Sequence, residues 1–329
     1  MIITQTPFRM SFFGGGTDME SFFREHGGAV ISTTFDKYCY VNVRHLPCFF
    51  EYSTELSYSR IERVTELDDI EHPAIRNAMK MLDMHEIRLT YEADLPARSG
   101  LGTSSSFAVG MLNAFYALKG KYADKKKLAD ETIYLERVLC NEAGGWQDQI
   151  AASYGGLNRI NFNKDGTYDV CPVIIHPNRK NSLNDNLLMF FTGFTRLSSE
   201  MQQKNKVGYE EHIEQLKQML ELVDEAERIL VDDNEDLDDF GRLLDKTWRL
   251  KRQTGGAITT NSIDELYERG IRAGALGGKL LGAGGGGFLV FYVQPDKKAA
   301  VMDMMKELLY VPFRFEDGGT RVIHYTPEL

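Results

Sequence analysis

The chain of 329 residues reads as an α+β protein of two domains, residues 1–184 and 185–329. Three observations predict this. The length suits about two domains of ~150 residues each. The first third is rich in strand-like runs, whereas the second half reads as strand, helices, strand, helix and a closing strand pair. Around "HPNRKNSLNDN", Pro, Asn and Ser displace the hydrophobic residues, which places the boundary near Asn184.

The runs "AVISTTF", "YCYVNVRHL" and "IRLTYEA" are alternating or β-branched and apolar, so each reads as a strand. Helices follow at Thr103 to about Leu118 and at Lys125 to Asn141, the second with Leu128, Thr132, Leu135 and Leu139 at helical spacing. "WQDQIAASYGG" reads as a short helix closed by glycines that suit a C-cap. Beyond the boundary come the strand "LLMFFTGF" and a charged helical region from Ser198 to about Val231, with Ile213, Leu216, Leu220, Val223 and Leu230 on one face. Helices near Leu237 to Lys251 and Ser262 to Leu276 precede a glycine-rich loop and the strand "FLVFYV". The helix "KKAAVMDMMKELL" and the pair "PFRFE" and "RVIHYT" complete the second domain.

A formal charge of −10 argues against a general nucleic-acid binder. No apolar run is long enough to span a bilayer, and the start "MIITQTPFRMSFF" lacks the parts of a signal peptide. The expectation is a cytoplasmic protein with no nucleic-acid or membrane partner, and with room for a homodimer. Cys39, Cys48, Cys140 and Cys171 form no CxxC pair and sit beside apolar residues, so they read as buried free thiols.

Three glycine-rich loops carry the chemistry. In "LPARSGLGTSSSFAVG", Gly100 and Gly102 lead into Thr103, Ser104, Ser105 and Ser106 at the mouth of a helix. A helix start leaves N–H groups without partners and glycine lets a ligand approach them, so this stretch suits an anion; an over-capped helix is the alternative. The loop from Gly282 to Gly287 formally satisfies GxGxxG but opens a strand, which excludes a dinucleotide site, and four consecutive glycines point to packing against another backbone or a ligand. "GALGGKLL" lacks P-loop spacing. In "TPFRMSFFGGGTDME", Arg9 precedes a glycine turn and Asp18, or else is a surface residue before a loose hairpin.

In this order, the three stretches resemble the signature motifs of the GHMP sugar and metabolite kinases, and the likeness covers nearly the whole chain. It implies ATP-dependent phosphoryl transfer to a small-molecule hydroxyl. It also implies an N-terminal domain of ribosomal-protein-like βα fold and a ferredoxin-like C-terminal domain. On this resemblance Gly100, Leu101, Gly102, Thr103, Ser104 and Ser105 hold the ATP phosphates. Ser104 and Glu136 hold Mg²⁺, which takes one or two protein oxygens. Asp148, in "GGWQDQ", matches the catalytic base, which accepts the hydroxyl proton late in transfer. Arg9 matches the basic partner that stabilises developing negative charge.

Galactokinases carry Glu-His-Thr-Asp where this chain has Gly15, Gly16, Thr17 and Asp18, which implies a sugar pocket other than one for galactose. The resemblance adds Arg196, Gly284 and Gly285 to the substrate set. The stretches "PFRMSFFGGGTD", "FTGFTR" and "GALGGKLLGAGGGGF" are similar to those of the heptose kinases of this family, which phosphorylate a heptose 7-phosphate at the anomeric hydroxyl. A small-molecule sugar phosphate needs a second anion site, for which Arg98, Arg196, Lys251 and Arg252 are the candidates. A fucokinase-like enzyme and a non-catalytic sugar and ATP sensor are the other readings.

Overall fold

The structure, a computed structural model, describes residues 1–97, 99–193, 212–255, 258–282 and 284–327. The strands are β1 (Ile2–Phe13), β2 (Gly28–His45), β3 (Thr54–Ser57), β4 (Ile61–Val64), β5 (Ile87–Ala93), β6 (Asn158–Phe162) and β7 (Tyr168–Pro172). They continue with β8 (Leu187–Phe191), β9 (Ala275–Leu280), β10 (Phe288–Val293), β11 (Leu309–Tyr310), β12 (Phe315–Glu316) and β13 (Arg321–Tyr325). The helices are α1 (Glu20–His26), α2 (Pro73–Met81), α3 (Thr103–Leu118), α4 (Lys125–Ile133), α5 (Gln147–Tyr154) and α6 (Pro177–Asp185). After the boundary come α7 (Ile213–Val231), α8 (Asp238–Gln253), α9 (Asn261–Arg272) and α10 (Lys298–Met304).

The first sheet runs β13-β1-β2-β5-β3-β4, with β6 and β12 also on β2 and β7 on β6. The runs expected as two strands, "AVISTTF" and "YCYVNVRHL", are two arms of β2. The register against β1 slips between Pro7 and Phe8, whose partners are Tyr38 and Phe35. Pro7 has no N–H to give the ladder, so a bulge there interrupts pairing without ending the strand.

Two further expectations are corrected. The closing pair "PFRFE" and "RVIHYT" does not complete the second domain: β12 pairs with β2 and β13 with β1, so the chain returns to the first sheet. Local alternation identifies a strand, but its pairing partner lies some 280 to 320 residues earlier and leaves no local mark. The polar stretch around Asn184 is helix α6 instead of an irregular linker. It starts with Pro177 in the first turn and an Nδ1 cap from His176, and Asn184 is buried against the backbone of Phe313 and Phe315.

The helix expected to Asn141 is α-helical only to Ile133; Tyr134–Leu139 continues as π-helix. That extra residue per turn leaves Tyr134 and Val138 exposed while burying Leu135 and Glu136. The cysteines also differ from expectation: Cys39 alone is buried, Cys48 and Cys171 are exposed, and Cys140 lies between. Of the charged helix placed at 198–231, the stretch before residue 212 lies outside the described residues. Within α7, Leu216, Val223 and Leu230 are buried as the periodicity predicts.

The second sheet, β11-β8-β10-β9, is antiparallel. All six residues of β10 are buried, because the strand divides two cores. Phe288, Val290 and Tyr292 join Phe8, Met10, Phe12 and Phe13 of β1 and Phe240 of α8; Leu289, Phe291 and Val293 face Trp248, Ile263 and Tyr267. Phe240 meets both Phe12 and Phe13 edge to face, with ring centroids 5.3 and 5.1 Å away. The shared apolar core thus fixes β1 against the second sheet, and the functional cleft opens along this seam. Among the described residues no helix is long and apolar enough to cross a membrane.

Candidate active site

The centre of the cleft is built from β1 and α5. Arg9, buried on β1, donates from Nε to Asp148 Oδ1 at 2.7 Å and from Nη2 to Oδ2 at 2.9 Å; its Nη1 donates to the Gly100 carbonyl at 2.7 Å. This two-pronged geometry fixes both carboxylate oxygens at the N-terminus of α5, where the helix dipole also favours a negative charge. The Arg9 amide bonds the Leu101 carbonyl, so β1 positions the glycine loop as well. Leu101 itself is buried in the core.

The loop runs into α3, whose N-cap is Gly102 in the left-handed region at φ 71°, with no side-chain cap. The over-capped reading therefore fails. Ser105 Oγ donates to Glu136 at 2.8 Å and Ser106 Oγ to the Pro7 carbonyl at 3.0 Å, so these hydroxyls tie the helix to its surroundings. Thr103 is buried and Ser104 is exposed. The amide row and helix dipole at this mouth are suited to phosphate oxygens.

The Gly282 loop packs against this loop. A Cβ on Gly282 would lie 2.3 Å from Gly100 Cα, and one on Gly100 would lie 2.3 Å from the Leu281 carbonyl oxygen. Two backbones can approach so closely only where neither residue has a side chain, and both have φ near +85°. Gly284 and Gly285, expected at the substrate, pack against the segment at Ile258, whose carbonyl accepts from the Gly285 amide at 3.1 Å.

On the opposite wall, Gly15, Gly16 and Asp18 line the cleft with Ser11, Met19, Arg137, Gly145, Gln147, Lys251 and Lys279. Asp18 accepts from the Gly16 amide at 2.9 Å and from the Gln147 amide at 3.4 Å. Burial raises its pKa, and the nearby Asp148 charge adds to the rise against the backbone hydrogen bonds. Thr17 does not face the cleft: its hydroxyl donates to the Gly14 and Ala29 carbonyls and accepts from the Ala29 amide, holding the turn shut. Arg196 and Arg98 lie outside the described residues. Arg252 stands near Asp264 and Glu268, at 3.4 and 4.0 Å, away from the cleft.

Glu136 is buried beside the helix mouth, where Ser105 and Gln149 donate to its Oε2 and Arg137 stands 3.6 Å away. Burial raises its pKa, outweighing these neighbours. The hydroxyl expected to share a metal with it was that of Ser104, yet Ser105 is the serine bonded to it. One carboxylate, adjacent hydroxyls and an unpaired buried Gln149 Oε1 form a hard-oxygen set of the kind Mg²⁺ takes together with phosphate oxygens. Among the described residues no cluster of three or more His, Cys, Asp or Glu side chains could hold a metal without such help.

Several lining residues escaped the sequence reading. Lys279 is buried on β9, donating to the Phe12 carbonyl at 2.7 Å. A lysine inside the apolar run "GGKLL" was the available signal. Arg137 binds the carbonyls of Glu142, Ala143 and Gly145, shaping the loop before α5. Ser11 Oγ and Gln147 Oε1 are buried without partners, and they border the cleft.

Comparison with known proteins agrees with this arrangement. The chain is 28% identical over 334 aligned positions to the D-glycero-alpha-D-manno-heptose 7-phosphate kinase of Campylobacter jejuni, covering 97% of this chain and 98% of that one. It is 31% identical over 232 positions to the L-fucokinase/L-fucose-1-P guanylyltransferase of Bacteroides fragilis, covering 65% of this chain and 23% of that one. The crystal structure of a D-glycero-D-manno-heptose 1-phosphate kinase from Bacteroides thetaiotaomicron has the same fold, with TM-score 0.80 and 22% identity over 98% of this chain and 99% of that one. The pattern of the GHMP kinases N terminal domain matches residues 70–156, which include the helix mouth, Glu136 and Asp148. That of the GHMP kinases C terminal domain matches residues 219–311, which hold Lys251 and the Gly282 loop. With its α+β fold and more than half its length matched, the chain belongs to the GHMP kinases, phosphotransferases that use ATP as phosphoryl donor.

Proposed function

We propose that the protein is an ATP-dependent sugar kinase that phosphorylates the anomeric hydroxyl of D-glycero-D-manno-heptose 7-phosphate to the 1,7-bisphosphate, a step toward nucleotide-activated heptose. The chemistry is carried by one observation: Asp148, gripped by Arg9, stands beside the phosphate loop, so that a Cβ on Gly102 would lie 3.4 Å from its Oδ2. The near full-length likeness to the C. jejuni enzyme favours the heptose.

In this reading the amides from Gly100 to Ser105 hold the β and γ phosphates. Ser104 and Glu136 hold Mg²⁺, with Ser105 and Gln149 orienting the carboxylate; the ion would neutralise phosphate charge. The acceptor lies against Gly15, Gly16 and Asp18, where the absent side chains leave room for a seven-carbon sugar. As the anomeric oxygen bonds to the γ phosphorus and the bond to ADP breaks, the hydroxyl proton passes to Asp148. Arg9 holds that carboxylate in line and offsets negative charge near it. The distal phosphate falls to a cation among Arg98 and Arg196.

ATP consumption with Mg²⁺ against heptose 7-phosphate, mannose 6-phosphate, mannose, fucose and galactose tests the reading. Fast turnover restricted to heptose 7-phosphate, with a new anomeric phosphate by phosphorus NMR, is the expected result. Preference for free fucose would replace it with the fucokinase reading that the 31% relative favours. Sugar binding without turnover of any acceptor would indicate a sensor.

A further inference from the structure

We propose that Lys251 is a catalytic residue: its ammonium group, supplied by the C-terminal domain, binds an oxygen of the phosphoryl group in transfer, opposite Arg9. The inference rests on the phosphate loop and Asp148 roles proposed above.

Lys251 occupies the last turn of α8, where the helix dipole favours a cation, and it is 5% exposed. Its Nζ donates to the Gly282 carbonyl at 2.8 Å. Gly282 touches Gly100, whose carbonyl is held by Arg9. The guanidinium and the ammonium are therefore anchored to two glycines in contact, on either side of one backbone seam. The ammonium borders the cleft, 4.0 Å from where a Cβ on Gly15 would stand.

Its surroundings are unusual for a buried cation. Both oxygens of Asp148 are engaged by Arg9, and those of Asp18 accept from backbone amides. Among the described residues, its hydrogen bond is to a neutral carbonyl, although an ammonium has three donors. A buried charge normally has a charged partner or a ligand. With Arg9, Arg137 and Lys279 also present, four basic side chains border the cleft against Asp18 and Asp148, so an added anion is favoured there. The unpartnered Ser11 Oγ nearby offers a further donor. Because the free ammonium donors lie at the glycine seam beside the Arg9–Asp148 pair, the anion they suit is the transferring phosphoryl group before the distal phosphate of a sugar.

The charge on Lys251 is also titratable in a useful range. Burial and the Arg9 charge pull its pKa down to about 8, with Asp18 and Asp148 acting the other way. Arg9 on β1, Asp18 after β1, Arg137 in the π-helical segment, Asp148 on α5 and Lys279 on β9 are the charged groups around it. As pH rises through this value the free enzyme loses the cation, so kcat/KM declines.

The test compares wild type, Lys251→Met and Lys251→Arg on whichever acceptor the panel selects, so that failure of the heptose assignment leaves it intact. Lys251→Met should lower kcat about 100-fold, in the range for loss of one transition-state donor, with acceptor KM changed less than about threefold. Lys251→Arg should restore at least about a tenth of the activity and abolish the alkaline decline, because arginine stays charged. Acceptor-free ATP hydrolysis should fall in parallel in Lys251→Met. A kcat within about threefold of wild type overturns the proposal. So does a rise confined to the KM of a phosphorylated acceptor, which would place Lys251 at the distal phosphate. Should Lys251→Met fail to fold, a wild-type alkaline limb unaltered by Lys251→Arg overturns it equally.

Discussion

The two glycine loops at the centre of the molecule are alike in composition and opposite in use. The loop at Gly100 opens helix α3 and leaves its first-turn amides without a side-chain cap; the loop at Gly282 opens strand β10 and spends its backbone on Gly100 and Ile258. The first is suited to donate to an anion, and the second braces it and accepts from Lys251 at the cleft. The element that an irregular loop opens, helix or strand, decides if the N–H groups at the junction are free to bind or already paired. The same division runs through the side chains: the N-terminal domain supplies Asp18, Glu136 and Asp148, whereas the two lysines come from the other domain.

This contrast can be broken experimentally. Asp148→Asn and Arg9→Ala should each lower kcat by about 10³-fold or more while circular dichroism stays native; near-normal activity in either variant removes its assigned role. Gly282→Ala and Gly102→Ala separate brace from cradle. The first forces a Cβ into Gly100 and should destabilise the protein by about 3 kcal/mol. The second meets Arg9 Cγ at 3.2 Å and Asp148 Cγ at 3.4 Å. It should cost about 1 kcal/mol but raise the KM for ATP severalfold. A larger stability loss at Gly102 than at Gly282 would reverse the assignment.

Smaller effects sharpen the picture inside the cradle. Ser105→Ala leaves a buried carboxylate short of a donor and should lower stability by about 1–3 kcal/mol in urea titrations. Exposed Ser104→Ala should leave unfolding within about 0.5 kcal/mol of wild type and raise the Mg²⁺ concentration needed for half activity. Equal unfolding midpoints for the two would mean that Ser105 does not support Glu136. A change of the opposite sign is predicted for Glu136→Gln. Because burial raises the folded-state pKa of Glu136, the ionised group opposes folding near neutrality, and that penalty disappears as falling pH protonates it. The variant should therefore melt higher than wild type at pH 7, with the gap narrowing toward acid pH, and a lower melting point at pH 7 would contradict the cause given for the shift.

The legible parts of the site were those whose partners are near in sequence or whose motif is continuous. The helix mouth and α3 were read from one short stretch, while Arg9, Asp18 and Asp148 were singled out by the resemblance of their motifs to those of the GHMP kinases. Thr17 was misread because a hydroxyl beside a binding turn has the same local signature whether it faces the ligand or closes the turn on Ala29. Ser104 and Ser105 are adjacent in one run, and only the packing of the π-helical segment against α3 chose which one Glu136 would hold. Lys279 received no role from the stretch "GALGGKLL", since its burial against the Phe12 carbonyl depends on the other end of the chain.

By itself, the sequence determined many of the strands and helices and the glycine-rich helix start, which depend on local periodicity and on the conformational freedom of glycine. The resemblance of its motifs to those of the GHMP kinases singled out Arg9 and Asp148. The tertiary structure alone decided that β12 and β13 return to the first sheet, that Gly282 rests on Gly100, and that Lys251 enters the cleft. Each of those outcomes is a contact between residues far apart in the chain or between separate domains. Such contacts are selected by which surfaces the shared apolar core brings together, and that selection has no counterpart in any short window of sequence.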